Sequence, residues 1–349
     1  MLLRVMDFLV CPVCRLPLQL KIDEQKEIQR DRKNLLPACR RYCEVISKEL
    51  SSSEVRKEAY FNCSACYKKE ITEGRLMCRN GHAFSITGAV PRLYRKPVNH
   101  QRTKQTFDVE WNVFKYNEKI YGHSPEEEFH DLLKRMVIDE AFFQEKTILD
   151  AGCGIGRITQ SVAKFANEVV GVDFSQGVDE AYLLNENNLN VHIIQADIMN
   201  LPFKESSFDY VYSKGVLHYV SDVKKCLAEL TSLVIPGGAL SVTIYSKMSC
   251  LFEIFNALIR KFALCLPVKA IYILSYLLIP FLVFAWKWSG VKQRKIDWDE
   301  SAHMIFNWLS SEFQNKTTDE EAVEWFTDLG FSDIRLSDIP VGITGIKKA

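Results

Sequence analysis

The chain has no net charge: its 44 Lys and Arg balance 44 Asp and Glu over 349 residues, so overall charge marks out no partner. It also has no internal repeat and no low-complexity tract. With 47% hydrophobic and 25% charged residues it is neither disordered nor collagen-like. The most apolar stretch, 270–286, runs 17 residues without a charge, at the lower edge of what a membrane span needs. Pro280 in its middle argues against a span. The start, MLLRVMDFLVCPVC, carries neither a long apolar region nor a small-residue cleavage site, so export is not expected and a cytoplasmic setting is.

What is present is unevenly distributed. Residues 1–100 hold nineteen basic and eleven acidic side chains, leaving twenty-five and thirty-three for the rest. Seven of the eleven cysteines fall in the first 78 residues, at 11, 14, 39, 43, 63, 66 and 78. An odd total with CxxC spacings favours metal binding in a reducing compartment over a disulfide framework. A Cys-rich unit therefore spans 1–98, interrupted at about 22–60 by a charged segment of helical composition. PRLYRKPVNHQRTKQ (91–105) reads as a linker, and a larger unit follows over 106–349.

In that larger unit short apolar runs alternate with helical segments, the pattern of a parallel sheet with crossover helices. Strands are expected at 146–152, 168–173, 191–197, 208–213 and 240–246, with FSDIRLSDI and VGITGIKK as a last antiparallel pair. LDAGCGIGR (149–157) closes the first strand with Asp150 and then places Gly152, Gly154 and Gly156 before a helix at about Ile158. Glycines there allow a sharp turn and a close approach of backbone to ligand. Asp173 and Asp197 end the next two strands, where carboxylates can accept from ribose hydroxyls and an exocyclic amine. Cys153, inside the loop, reads as a small residue packed behind the ligand.

These residues, with GVDFS, QADIMNLPF, FDYVYSKGVLHYV and LVIPGGALSV, resemble class I S-adenosylmethionine-dependent methyltransferases of the type 11, UbiE-like group across 146–246. The resemblance implies an α/β, Rossmann-like seven-stranded sheet with one reversed strand. It implies that Asp150, Gly152 and Gly154 line the methionine end, that Asp173 holds the ribose, that Asp197 and the Ile198 backbone read adenine, and that the Ser213 backbone sits near the methionine amine. Residues 306–331 resemble a group of uncharacterised methyltransferases fused to a zinc-ribbon module, and that resemblance implies an Asp at 307 and a His at 317, where this chain has Asn307 and Thr317.

In the front unit, Cys11–Cys14 and Cys63–Cys66 are two zinc-knuckle spacings, and Cys78-Arg-Asn-Gly-His82 adds a thiolate and an imidazole. This unit resembles the N-terminal zinc ribbon of a bacterial 23S rRNA guanine-N1 methyltransferase. That resemblance picks Cys11, Cys14, Cys78 and His82 for one structural Zn²⁺. Spacing alone leaves open that Cys63 and Cys66 join Cys78 and His82, with Cys11 and Cys14 pairing with Cys39 and Cys43.

Methyl transfer needs alignment rather than a covalent intermediate, so no nucleophile is required. His218 and Tyr219, past the fourth strand, are candidate bases, with Tyr245 and His303 behind them. Residues 107–122 read as a cover over the cofactor, with Trp111 and Phe114 as its apolar contacts. Residues 251–295 form an apolar helical insertion with seven Lys and Arg against Glu253. A lid over the acceptor and a peripheral contact with an anionic membrane both fit it. The function expected is methylation of a small or lipid-linked acceptor. The rivals are an rRNA or tRNA methyltransferase that binds RNA through the basic front, and a non-catalytic scaffold that binds S-adenosylmethionine.

Overall fold

The computed structural model describes residues 1–28, 42–43, 45–46, 48–50, 52, 55, 63–95, 101–114, 123–288, 297–339 and 341–349. Its frame is one eleven-stranded sheet. The strands are β1 (Gln19–Glu27), β2 (Lys69–Met77), β3 (Ala83–Thr87), β4 (Val90–Leu93), β5 (Thr147–Ala151), β6 (Glu168–Asp173), β7 (Val191–Ala196), β8 (Phe208–Ser213), β9 (Val234–Thr243), β10 (Phe331–Leu336) and β11 (Gly342–Lys347). Across the sheet they run β1-β2-β3-β4-β7-β6-β5-β8-β9-β11-β10. From β7 to β9 all neighbours are parallel, and β11 returns antiparallel between β9 and β10. The last seven strands are the expected Rossmann-like sheet with one reversed strand.

The front unit does not stand apart from this sheet. β1 to β4 are antiparallel hairpins, and β4 then pairs in parallel with β7 through Arg92 with Gln195 and Leu93 with Ala196. The segment read as a linker from Pro91 onward thus begins as a strand, and helix α1 (Gln101–Phe114) takes up its end. The charged segment expected to be helical from about residue 22 also begins as strand: β1 is an edge strand, almost wholly exposed, whose Lys and Glu side chains meet water on both faces. Charge on an edge strand blocks pairing with another chain. Cys39 lies outside the described residues.

Helices cover both faces: α2 (Pro125–Met136), α3 (Arg157–Ala163), α4 (Gly177–Asn185), α5 (Val223–Leu233) and α9 (Asp319–Asp328). A capping box between Thr318 and Glu321 opens α9, and Gly330 at φ +84° lets the chain turn after it. The apolar insertion supplies α6 (Cys250–Ala263) and α7 (Val268–Trp288), followed by α8 (Trp298–Ser310). Among the described residues no helix is long and apolar enough to cross a membrane.

One apolar core runs through both units, with Phe8, Leu9 and Ile71 from the front packed among Phe203, Phe208 and Leu230. Beside it lies a buried polar knot. Arg4 donates to Glu168 Oε2 at 2.8 Å, and His192 Nε2 meets Glu168 Oε1 at 2.7 Å. Removing one member of a buried charged set strands the others without water. Arg4→Met should therefore cost about 3–5 kcal/mol in urea unfolding. The shared core further requires a single transition for both units; two separate transitions would contradict it.

Candidate active site and metal centre

The glycine loop after β5 is shaped by what presses on it. Gly152, Gly154 and Gly156 have φ of +97°, +54° and +78°, a region that only glycine occupies cheaply. A Cβ at Gly152 would come within 2.2 Å of Val216, and one at Gly154 within 2.8 Å of the Trp111 indole. Trp111, on α1, also lies against Gly177, so this helix covers the loop as expected for the 107–122 segment. The Phe114 side chain and residues 115–122 lie outside the described part. Asp108 fastens α1 in place, accepting from the Gln176 N–H at 2.7 Å and pairing with Lys104 at 2.7 Å.

A cavity of about 660 Å³ opens beneath, within the size range of cofactor and substrate sites. Gly152, Cys153, Gly154, Asp173, Asp197 and Ile198 line it, bringing six of the nine expected cofactor residues together. The other three stand behind them. Asp150 is buried and accepts from Thr159 Oγ1 at 2.6 Å; burial pushes its carboxyl up to about 6, against the hydroxyls of Thr159 and Tyr212. Gly156 packs on Ala181 and Asn185, and Ser213 donates to the Ala151 carbonyl at 2.7 Å. Asp173 accepts from the Gly154 N–H at 2.9 Å and from Ser175 N–H and Oγ at 2.8 and 2.6 Å. Burial raises this carboxyl above its ordinary range, against those hydrogen bonds.

The rest of the wall is aromatic. His218 stacks on Tyr245 with centroids 3.6 Å apart, Tyr219 and Tyr245 share a 2.6 Å hydroxyl contact, and Phe107 and Trp308 complete the cluster. His218 Nδ1 and Trp111 Nε1 are buried without a hydrogen-bond partner. Burial drives His218 down to about 3, so its ring is neutral near pH 7. An ionic cluster that no sequence motif marks also lines this cavity: Arg157 meets Glu128 at 3.0 Å and Lys214 meets Asp131 at 2.8 Å. Burial pushes Glu128 up to about 7, against the pull of Arg157 and Lys214.

Glu110 was also missed. It is fully buried on α1, with Oε1 2.7 Å from His303 Nε2 and 3.3 Å from Asn307 Nδ2. Asn307 stands on the cavity wall, whereas Thr317 lies off it, bonded to Glu321.

At the front, Cys11, Cys14, Cys78 and His82 bring their ligand atoms within 4.8 Å of one another. Cys14 and Cys78 sulfurs are 3.6 Å apart, and His82 Nδ1 is 3.5 and 3.3 Å from Cys11 and Cys78. The edges of a zinc tetrahedron, from Zn–S and Zn–N bond lengths, are ~3.4–3.8 Å. Two tight turns build the set: Arg15 N–H returns to the Cys11 carbonyl at 2.8 Å, and Gly81 N–H to that of Cys78 at 2.9 Å. The donor set fits Zn²⁺, and an ion held by all four would have every position filled by protein, as structural sites do. Cys66 is not part of it. It is packed in an apolar cluster with Leu2 and Tyr67, which narrows the six expected ligands. Cys63 begins the turn at Cys63–Tyr67, and its side chain lies outside the described part. Cys43 is buried beside Leu50.

Arg15 ties the knuckle to the larger unit, donating to the carbonyls of Leu201 and Phe203 at 2.6 and 2.7 Å, a few residues past Asp197. Cys11→Ser should lower zinc content and melting temperature, while Cys66→Ser should keep the metal. Elemental analysis of the two variants checks this, and zinc lost from Cys66→Ser alone would contradict it.

Comparison with known proteins agrees with this geometry. Residues 149–242 match the family model of a methyltransferase domain, and residues 3–88 match that of Trm112p-like proteins. A demethylmenaquinone methyltransferase of Staphylococcus saprophyticus is 30% identical over 144 residues, 40% of this chain and 62% of that protein. An uncharacterized methyltransferase of Mycobacterium tuberculosis is 33% identical over 98 residues, 28% of this chain and 50% of that protein. The chain thus spans between half and two thirds of these relatives' length. Among solved structures, the complex between the Haloferax volcanii Trm112 methyltransferase activator and a methyltransferase matches with a TM-score of 0.45 at 15% identity, over 71% of this chain and 98% of that one. In sequence and in strand order, residues 149–242 are similar to a methyltransferase domain on a class I sheet, and residues 3–88 are similar to Trm112p-like proteins.

Proposed function

We propose that the protein transfers a methyl group from S-adenosylmethionine to a small, apolar or lipid-linked acceptor. The observation that carries this reading is a single cavity whose wall includes both the glycine loop with Asp173 and Asp197 and the aromatic cluster of His218, Tyr219, Tyr245 and Trp308. Bound against the loop, S-adenosylmethionine supplies an electrophilic methyl carbon on a sulfonium.

The chain's own residues bind, orient and exclude water. Asp173 and Asp197 accept hydrogen bonds from the nucleoside, and Val216 and Trp111 press the glycine loop into a shape that leaves room for it. The aromatic wall holds the acceptor within ~3–3.5 Å of the methyl group, which is the main source of rate for such a displacement. His218, neutral as it stands, takes an acceptor's proton only as far as that acceptor's acidity allows. The activity named for the Staphylococcus relatives, on demethylmenaquinone, supports the same class of acceptor: a ring on an apolar tail.

The RNA reading draws less support. Among the described residues, three basic side chains of the front unit pair with acids of the same chain: Lys26 with Glu70 at 2.9 Å, Arg75 with Asp23 at 3.5 Å and Arg4 with Glu168 at 2.8 Å. A reducing, cytoplasmic setting fits the placement of Cys11, Cys14 and Cys78 with His82 as a metal-ligand set.

Two measurements test the site. Asp173→Ala removes a charged acceptor and should weaken S-adenosylmethionine binding in calorimetric titration by about 1.5–3 kcal/mol. Unchanged affinity would overturn the cofactor's assigned position. The second follows His218 by imidazole NMR, with His218→Gln to assign its signal. The ring should stay neutral down to about pH 4, and a midpoint near the ordinary 6.5 would contradict its burial. Since the unfolded ring takes its proton near 6.5 and the folded ring only near 3, this group makes the fold less stable as pH falls through that window.

A further inference from the structure

Helix α6 is inside out. Its inward side carries Asn256, Arg260 and Ala263, all buried. Arg260 donates to the carbonyls of Trp308 and Ser311, and Asn256 donates to Gln314 Oε1 at 2.7 Å and accepts from Trp308 Nε1 at 2.8 Å. Its outward side carries Leu251, Ile254, Phe255, Leu258 and Phe262, all exposed, with Leu251 at 82% and Phe262 at 75%. The spacing i, i+3, i+4, i+7 and i+11 is one stripe of an α-helix. A helix in water turns its apolar stripe to the core. Here the core side takes the polar groups, and they are satisfied there.

Helix α7 continues the theme. Val268 and Ile271 pack inward with Ala263 against Phe306 and Leu309 of α8. Ile273, Leu277 and Phe281, four residues apart, are exposed, the last at 72%. Single exposed apolar residues are ordinary, but stripes on two adjacent helices that share one inner support are not.

Charge decides what covers this face. Apart from Arg260, which is buried inward, the segment 251–295 has six Lys and Arg against the lone acid Glu253, which is already paired with Lys316 at 2.5 Å. Lys261 and Lys269 are exposed at the borders of the stripes. A second copy docked across a two-fold axis would set these cations against their own images. An anionic bilayer would neutralise them while accepting the apolar side chains. We propose that α6 and α7 lie in the interface of an anionic lipid membrane. Helix α8, on which both rest, contributes Met304, Asn307 and Trp308 to the cavity wall. A lipid-linked acceptor would thus be delivered beside its site; this last step rests on the methyl-transfer reading, whereas the docking does not.

The test is co-flotation of the full chain with phosphatidylcholine vesicles and with mixed phosphatidylcholine–phosphatidylglycerol vesicles. The protein should float with the mixed vesicles, less with the neutral ones, and less again as salt is raised. Leu251→Asp and Phe262→Asp should each lower partitioning roughly tenfold or more, from the loss of one buried apolar side chain and the gain of a repelled charge. Melting temperature and S-adenosylmethionine affinity should stay as in the parent, because neither side chain touches the cavity or the core. Absence of flotation, or equal flotation of parent and variants, overturns the proposal. So does a concentration-dependent dimer in sedimentation velocity that the same variants abolish without any vesicle binding. Loss of S-adenosylmethionine binding by a parent chain that still floats would count against the methyl-transfer reading alone.

Discussion

The arrangement depends on two residue pairs, Arg92 with Gln195 and Leu93 with Ala196, where the front unit joins the methyltransferase sheet. Strand β7 would otherwise be an open edge, with unpaired N–H and C=O groups beside the cofactor cavity. The joint also reaches the cavity through side chains. Arg92 donates to Gln195 Oε1 at 3.1 Å, and Gln195 Nε2 donates to the carbonyls of Phe174 and Ser175 at 3.1 and 2.9 Å. Those two residues follow Asp173. A contact made by the front unit therefore braces the loop after Asp173, whose carboxylate lines the cavity. On the other side Arg15 fixes the segment after Asp197. Segments that follow both acids of the proposed cofactor site are thus braced from the front unit.

The cover over the cavity has a comparable logic. Helix α1 presses Trp111 onto the glycine loop, and its Arg102 donates to the carbonyls of Leu264, Leu266 and Ser310 around the insertion. The buried contact of Glu110 with His303 and Asn307 ties the same helix to α8. Helices α1, α6 and α8 are consequently joined over the cavity, and polar contacts do much of the joining. That leaves the outer faces of α6 and α7 free to be apolar.

The sheet of the larger unit was legible because its strands are buried on both faces, and continuous runs such as EVVGVD and FDYVYS have few other uses. The glycine loop was legible because its spacing is dictated by a close approach. Strand β4 was not, because VPRL is short, starts beside a proline and becomes a strand only when β7 is there to pair with it. Strand β1 hid for the opposite reason: exposed on both faces, it has no burial period to read. CxxC spacing could not separate Cys11 and Cys14 from Cys63 and Cys66, since convergence on one point is a property of the fold. Glu110 was invisible because its partners lie nearly two hundred residues away and nothing local marks a buried acid on a helix.

The most direct test of the account is to follow label from methyl-labelled S-adenosylmethionine when the purified chain is added to a cell extract, separated afterwards into lipid, RNA, protein and soluble fractions. The account predicts label in the lipid or soluble small-molecule fraction. Label confined to RNA or protein would contradict the aromatic cavity as an acceptor site, and no transfer to any fraction by a chain that binds S-adenosylmethionine would contradict the activity itself.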